Sequence, residues 1–203
     1  MEVLAQIFAF HFLTGSVKPV KKLSQLSTQM RLVCRLWDAV VISTPSLWVQ
    51  LEFRRCLGFF GIPPDILSIW LQRSKTYSLH IELDCCGIVP QWFPVLISSI
   101  KRWESLMLDF SPESVDLVPQ HIPLSLSRAR RLKFLCISNP SLIIKHIPAL
   151  IRTTPNLQSL FIQVRFAEHW AYIRSIASIV KNLSYLYLGR NKLDCECVWG
   201  NIV

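Results

Sequence analysis

Hydrophobic positions between Met30 and Leu51 predict a compact helical unit. Apolar side chains recur at helical spacing along one face, and charged side chains occupy the opposite face. The apolar face holds Met30, Val33, Cys34, Trp37, Val40 and Val41. Leu32 and Leu36, four residues apart, widen the apolar surface beyond a single buried stripe. Pro45 ends the helix because the residue before a proline avoids helical geometry. The pattern predicts a small helical module with apolar surface to spare.

A second helix is predicted near the start of the chain, over residues 3–13. One side of it carries Leu4, Ile7, Phe8 and His11. Polar residues and a proline predict a loop over residues 14–29, and either Ser27 or Thr28 is suited to cap the helix that follows. After residue 53, a connector contains a short helix that Asp65 is expected to cap. These elements divide the first part of the chain into a helical module (1–53) and a connector (54–78).

From residue 79 onwards the pattern changes to short alternating segments that repeat. Three of them share the form L-x-x-L-x-L, and two shorter ones align with them. Their equivalent positions 81, 106, 135, 160 and 186 are separated by 25, 29, 25 and 26 residues, a period typical of leucine-rich repeats. The segments between them have helical period or contain prolines. The sequence therefore predicts an α/β fold, in which a leucine-rich-repeat solenoid of about five repeats, incomplete at its C-terminus, fills residues 79–203. An unrelated α/β domain with coincidental spacing is the alternative.

Alternation along the predicted strands also indicates which side chains face away from the core. If Leu106 and Leu108 point inward, their neighbours point outward. The outward positions with large side chains are Met107, Phe134, Phe161, Tyr185 and Tyr187. Exposed aromatic residues are typical of a protein-binding patch, so these five are candidates for contact with a target protein. The alternative is that a loop or a further repeat covers them.

Composition excludes several classes of protein. The chain has 203 residues, of which 51% are hydrophobic and 17% charged, and this excludes a disordered chain. No apolar run reaches the roughly 18 residues that a membrane span requires, and no basic segment precedes the apolar N-terminus as in a signal peptide. The seven cysteines have no framework spacing, and Cys34 and Cys136 lie in apolar patterns typical of core thiols. We expect a cytoplasmic or nuclear protein without a membrane contact.

The net charge of +9 raises the question of nucleic-acid binding. The basic clusters are short and scattered along the chain, and no basic helix or basic-aromatic motif accompanies them. They comprise Lys21–Lys22, Arg54–Arg55, Lys101–Arg102, and Arg128 with Arg130–Arg131. This distribution favours a solvated basic surface over a nucleic-acid interface.

Motifs for catalysis or cofactor binding are missing from the sequence. It has no nucleophile elbow, no phosphate-binding glycine loop and no His-Glu-x-x-His. Cys195 and Cys197 are too few for a structural zinc site, which requires four ligands. We expect a non-catalytic protein without a cofactor or a metal.

Two segments resemble the F-box motif in the form found in large fungal (basidiomycete-type) F-box families. Val33-Cys34-Arg35-Leu36-Trp37 followed by Ser43-Thr44-Pro45-Ser46-Leu47-Trp48 resembles its second half, and Glu2-Val3-Leu4-Ala5-Gln6-Ile7-Phe8 resembles its first helix. Members usually open with a Leu-Pro pair before that helix. This chain lacks the pair, so the resemblance implies an N-terminally truncated F-box.

The resemblance implies a partner and a function. F-box helices bind a Skp-type adaptor, which joins them to a cullin-RING ubiquitin ligase, and the repeats would bind a protein substrate. The positions implied to contact the adaptor are Leu4, Ile7, Phe8, Leu32, Val33, Cys34, Leu36, Trp37, Leu47 and Trp48. Of these we expect Leu32, Leu36 and Leu47 to point outward, whereas Val33, Trp37 and Trp48 could instead close the protein's own core. A leucine-rich interaction or scaffold protein with a degenerate F-box is the alternative function.

Overall fold

The computed structural model describes residues 2–14, 29–53, 63–84, 92–110, 126–138, 147–163 and 183–189. Its α-helices are α1 (Glu2–Thr14), α2 (Arg35–Ser43), α3 (Pro64–Arg73), α4 (Phe93–Ser98) and α5 (Ile147–Thr153), with 3-10 helices at Pro45–Trp48 and Ile100–Arg102. Its strands are β1 (Gln50–Phe53), β2 (Leu79–Asp84), β3 (Trp103–Asp109), β4 (Phe134–Ser138), β5 (Ser159–Gln163) and β6 (Tyr185–Gly189). The fold is mixed α/β.

All six strands form one parallel sheet in which the order of the strands equals their order in the chain. The five strands predicted from the repeating pattern are confirmed as β2 to β6. Their equivalent positions also lie side by side in one row of the sheet, which runs through Ile81, Leu106, Leu135, Leu160 and Leu186. The spacing of the leucines therefore predicted the register as well as the strands.

The sheet begins earlier in the chain than the sequence predicted. β1 pairs in parallel with β2 and places Leu51 opposite Ile81. This strand lies at the end of the segment 1–53, which was predicted as a helical module without a strand. A strand of four residues has too short an alternation for its pattern to stand out from the helical period before it.

Helices α3, α4 and α5 cover one face of the sheet and form the main core with it. Strand residues from the row of Ile81, and from the next row on the same face, contact apolar side chains of the helices and turns. The helices and turns contribute Leu67, Leu96, Ile100, Leu126, Leu132, Ile147, Leu150 and Leu157, all of which are buried. Parallel strands need crossovers, and α3, α4 and α5 pack their apolar residues on this face.

The N-terminal elements have a core of their own. Phe8 of α1, Val40 and Val41 of α2, and Leu47 and Trp48 of the first 3-10 helix form a separate buried cluster. Trp70 of α3 packs against this cluster and also against the main core. The helical module is thus joined to the sheet by a shared tryptophan as well as by the chain itself.

The helix predicted over residues 30–43 is interrupted in the structure, so the prediction of one continuous helix was wrong. Residues 32–33 form a turn, and α2 begins only at Arg35. Arg31 Nε lies 2.6 Å from Asp38 Oδ1, and this ion pair links the segment before the turn to the first turn of α2. Apolar spacing alone could not separate one long helix from a helical turn followed by a shorter helix.

The start of α3 differs from the prediction, and some other predicted features lie outside the described residues. α3 is present, but Pro63 occupies its N-cap position, and Asp65 lies in its first turn, where a carboxylate still favours the helix dipole. The candidate caps Ser27–Thr28 and most of the predicted loop lie outside the described residues, as do Cys195 and Cys197. Among the helices of the described ranges, none combines the length and the apolar character that crossing a membrane would require.

Candidate functional site

The first 3-10 helix turns Leu47 and Trp48 into the N-terminal cluster. Trp48 Nε1 donates a hydrogen bond of 2.9 Å to the carbonyl oxygen of Val41, and Thr44 Oγ1 donates one of 2.6 Å to that of Val40. The last carbonyls of α2 have no partner within their own helix, so these bonds satisfy two of them. Leu47 and Trp48 are only 8% and 5% exposed. Both residues therefore stabilise this protein's own core.

Aromatic packing holds α1 against α2. The rings of Phe8 and Trp37 lie 4.8 Å apart at an interplanar angle of 65°, an edge-to-face geometry that aromatic pairs favour. Phe8 is buried, and Leu4, one turn earlier in α1, packs half-buried against the same cluster. This contact fixes which sides of the two helices face outward.

Large apolar side chains remain exposed beside this aromatic contact. Leu32 is 80% exposed, Val33 60%, Leu36 53% and Ile7 55%. Ile7 directly precedes Phe8, and Leu36 directly precedes Trp37. Both therefore lie next to the α1–α2 contact. We call Ile7, Leu32, Val33 and Leu36 the apolar patch. Single exposed apolar residues are ordinary, whereas larger exposed apolar groups are typical of interaction surfaces.

The ten residues expected at an adaptor surface thus divide into two sets. The exposed set contains Ile7, Leu32, Val33, Cys34 and Leu36, and the buried or half-buried set contains Leu4, Phe8, Trp37, Leu47 and Trp48. The outward orientation expected of Leu32 and Leu36 is confirmed, whereas that expected of Leu47 is wrong. Val33 is exposed and does not pack in the protein's own core, whereas Trp48 is buried there.

Val3, which was not among the predicted surface residues, is 69% exposed. It lies four residues before Ile7, so both side chains are on the same side of α1. The four-residue spacing could have indicated that Val3 is exposed, because Val3 and Ile7 belong to one helical row that excludes Leu4 and Phe8.

The face of the sheet opposite the helices carries the five residues expected to contact a target. The predicted alternation is confirmed, since Met107, Cys136, Phe161 and Tyr187 occupy one row. Their expected exposure is wrong for Met107, Phe134 and Phe161, which are 3%, 3% and 1% exposed. Tyr187 is half-buried, and Tyr185 is 51% exposed.

Contacts between the rings explain part of this burial. The centroid of Phe161 lies 5.0 Å from that of Phe134, 5.3 Å from Tyr185 and 5.6 Å from Tyr187. Tyr187 is directly opposite Phe161 and the other two rings are diagonal to it, and both positions are close enough for aromatic rings to shield one another. Period-two alternation assigns a face but does not reveal how much neighbouring rings cover each other.

Polar residues occupy the other half of this face. Gln50, His80 and Ser105 lie in one row, and Glu52 and Glu82 are neighbours in the next. Burial lowers the pKa of His80, although the negative charge of Glu104 acts in the opposite direction. At neutral pH His80 is therefore uncharged, and the face changes from polar on β1 and β2 to aromatic on β4 to β6.

The two cysteines that the sequence assigned to the core differ in exposure. Cys136 is buried as expected, but Cys34 is exposed, because it caps α2 in an extended conformation instead of lying inside a continuous helix. Within the described ranges, no group of three or more His, Cys, Asp or Glu residues is placed to hold a metal ion.

Comparison with known proteins identifies no relative. No protein-family model matches the chain, and no curated protein or solved structure matches it either.

Proposed function

We propose that this protein is the substrate-recognition subunit of a cullin-RING ubiquitin ligase, in which the N-terminal helices bind a Skp-type adaptor. The single observation that carries the proposal is the apolar patch. Its four side chains are more than half exposed, although the aromatic pair beside them packs in the protein's own core. Large apolar residues that become buried at a protein interface supply most of its binding free energy.

The local backbone supports the same proposal. The ion pair between Arg31 and Asp38 spans the turn that carries Leu32 and Val33. Asp38 N also donates a hydrogen bond of 3.0 Å to the carbonyl oxygen of Cys34, which anchors the start of α2. A turn held on both sides can present its side chains without first losing much conformational freedom, and such preorganisation favours binding.

For the sheet we propose an irregular leucine-rich-repeat solenoid that binds a protein substrate. Two observations support a leucine-rich-repeat solenoid. The order of the strands equals their order in the chain, and leucines at repeat spacing share one row of the sheet. The exposed Tyr185 and the half-buried Tyr187 are the substrate-contacting candidates that remain accessible. The protein would perform no bond chemistry and would work in the cytosol or nucleus. It would raise the concentration of the substrate near the ubiquitin-conjugating enzyme.

Co-purification with a Skp-type adaptor tests the proposal. The informative variant is Leu32→Asp with Leu36→Asp, because both side chains are exposed and neither substitution should affect folding. The matched control is Ile66→Asp with Ile69→Asp on α3, which introduces the same charges at apolar side chains that are 42% and 39% exposed. Leu47→Asp is unsuitable because Leu47 is buried.

We expect a stoichiometric complex with the wild type and with the α3 control, and loss of the complex in the Leu32/Leu36 variant. Circular dichroism establishes that all three proteins are folded. A folded wild type that fails to bind the adaptor would refute the proposal and favour a repeat scaffold with a degenerate F-box. Binding that survives in the Leu32/Leu36 variant would show that the apolar patch is not the docking surface.

A further inference from the structure

Basic residues from separate segments meet at the edge of the sheet where the strands begin. Lys101 and Arg102 lie in the 3-10 helix before β3, and Arg128, Arg130 and Arg131 lie in the turn before β4. β3 and β4 are parallel neighbours, so the segments that precede them are adjacent in space. These five residues line one cavity of about 600 Å³, which we call the basic cavity.

In the described ranges, no carboxylate compensates the positive charge of the basic cavity. The remaining residues that line it carry hydroxyl groups, and none of its five cations pairs with a carboxylate among the described residues. A neighbouring cavity of about 400 Å³ shares Arg130 and Arg131 but also contains Lys133 and Glu104. There the lysine is paired, with Lys133 Nζ 2.6 Å from Glu104 Oε1. Because Lys133 is paired with Glu104, the excess positive charge lies in the basic cavity.

Arg102 is held in place at the inner side of this cluster. Its Nη2 donates hydrogen bonds of 3.0 Å to Ser74 Oγ and 3.3 Å to the carbonyl oxygen of Leu71. Its Nη1 is buried and makes no hydrogen bond in the part of the chain that the structure describes. Burial, and secondly the positive charge of Arg131, lower the pKa of Arg102. A negative charge in the cavity would relieve this repulsion.

We propose that the basic cavity binds a compact ligand that carries at least two phosphate groups. Guanidinium groups match the geometry of phosphate oxygens and donate paired hydrogen bonds to them. Cavities of roughly 300 to 1,000 Å³ hold small molecules, whereas a nucleic-acid duplex is bound by cations distributed along its backbone. The volume and the convergence of the cations therefore favour a small polyphosphate. This inference is independent of adaptor binding.

Isothermal titration of the full chain with sodium tripolyphosphate, at constant ionic strength, tests the proposal. The variant Arg128→Gln with Arg131→Gln removes two cavity cations whose side chains are exposed. Arg35→Gln with Arg152→Gln is the matched control, because it changes the net charge equally at two exposed arginines outside the cavity. We expect one site in the wild type, unchanged affinity in the control and a loss of at least about tenfold in the cavity variant, since each removed arginine takes a charge-assisted hydrogen bond with it.

Arginine modification by phenylglyoxal gives a second measurement on the wild type, which does not depend on the variants folding. Tripolyphosphate should protect Arg128, Arg130 and Arg131 but not Arg152, as read by peptide mass spectrometry. Equal weakening in both double variants, or equal protection of all arginines, would mean diffuse charge attraction and would overturn the proposal. An oligonucleotide that binds the same arginines more tightly than tripolyphosphate would overturn it in favour of a nucleic-acid surface.

Discussion

The indole nitrogen of Trp48 donates a hydrogen bond of 2.9 Å to the carbonyl oxygen of Val41. The bond links the first 3-10 helix to the end of α2 inside the N-terminal cluster, where both residues are buried. It fixes how the chain turns away from α2 before it enters β1. The side chain of Trp48 therefore connects the helical module with the start of the sheet.

Trp48→Phe should destabilise the protein by about 0.5–1.5 kcal/mol, because the buried carbonyl of Val41 loses its 2.9 Å hydrogen bond and keeps only the longer one of 3.4 Å from Thr44 N. The measurement is the free energy of unfolding from denaturant titration, with an unchanged dependence on denaturant concentration. Trp70→Phe is the control. Trp70 is a half-buried tryptophan whose indole nitrogen makes no hydrogen bond within the described residues. Equal losses in the two variants would show that ring size, and not the hydrogen bond, determines the effect.

Phe161→Ala should cost about 3–5 kcal/mol, since it empties a buried site between three other aromatic rings. Tyr185→Ala in the same ring cluster should cost about 1 kcal/mol or less, because Tyr185 is half exposed. Thermal and denaturant unfolding measure both. If the two substitutions were equally mild, the aromatic face would be loosely packed, contrary to the burial of Phe161.

Glu104 should make stability depend on acidic pH. The hydrogen bond from Lys133, and then one from Ser78, lowers the pKa of Glu104 below its ordinary value of 4.5. A carboxylate with a depressed pKa stabilises the fold above the unfolded pKa, and this contribution is lost as the pH falls through the folded pKa. Because the pair is partly exposed, Glu104→Gln should cost less than about 1 kcal/mol at pH 7.

The difference in unfolding free energy between Glu104→Gln and the wild type should decrease as the pH falls from 7 to below about 4.5. Unfolding titrations at several pH values measure it, and high salt should reduce it as well. A difference that stays constant over this range would mean that Glu104 stabilises the fold by packing and not by its charge.

His80 should produce a separate effect at higher pH. Its pKa lies below the ordinary value of 6.5 because it is buried, so the unfolded chain binds a proton more readily than the folded one. Stability should therefore decline as the pH falls below about 6.5, and the decline ends at the folded pKa. His80→Gln should remove this decline while leaving the Glu104 effect at lower pH. A wild type with constant stability from pH 7 to 5.5 would contradict the prediction.

The strands were predictable from sequence because their leucines obey two regular spacings at once. Alternation identified Leu106 and Leu108 as inward residues, and the repeat period placed Leu106 beside Leu135. Both rules depend only on backbone geometry, which every parallel strand shares. Exposure was less predictable, because it depends on which rings meet across strands, as at Phe161.

The N-terminal surface was only partly predictable for a related reason. Helical period groups Val33 with Val40 and Val41, but the turn before Arg35 rotates Val33 out of that row and into solvent. The basic cavity was missed because Lys101–Arg102 and Arg128 are distant in sequence and meet only through the pairing of β3 with β4. Interactions between sequence-distant segments are the part of the structure that local patterns do not contain.

The agreement between strand order and chain order has a mechanical consequence. Each strand pairs only with its neighbours in sequence, so no strand is clamped between two that are remote in the chain. Among the described strands β6 pairs only with β5, so a pulling force applied at β6 would work first against that pairing and then against the pairing of β5 with β4. Under load we expect the sheet to yield one strand at a time from that end, because its contacts are local and nearly additive.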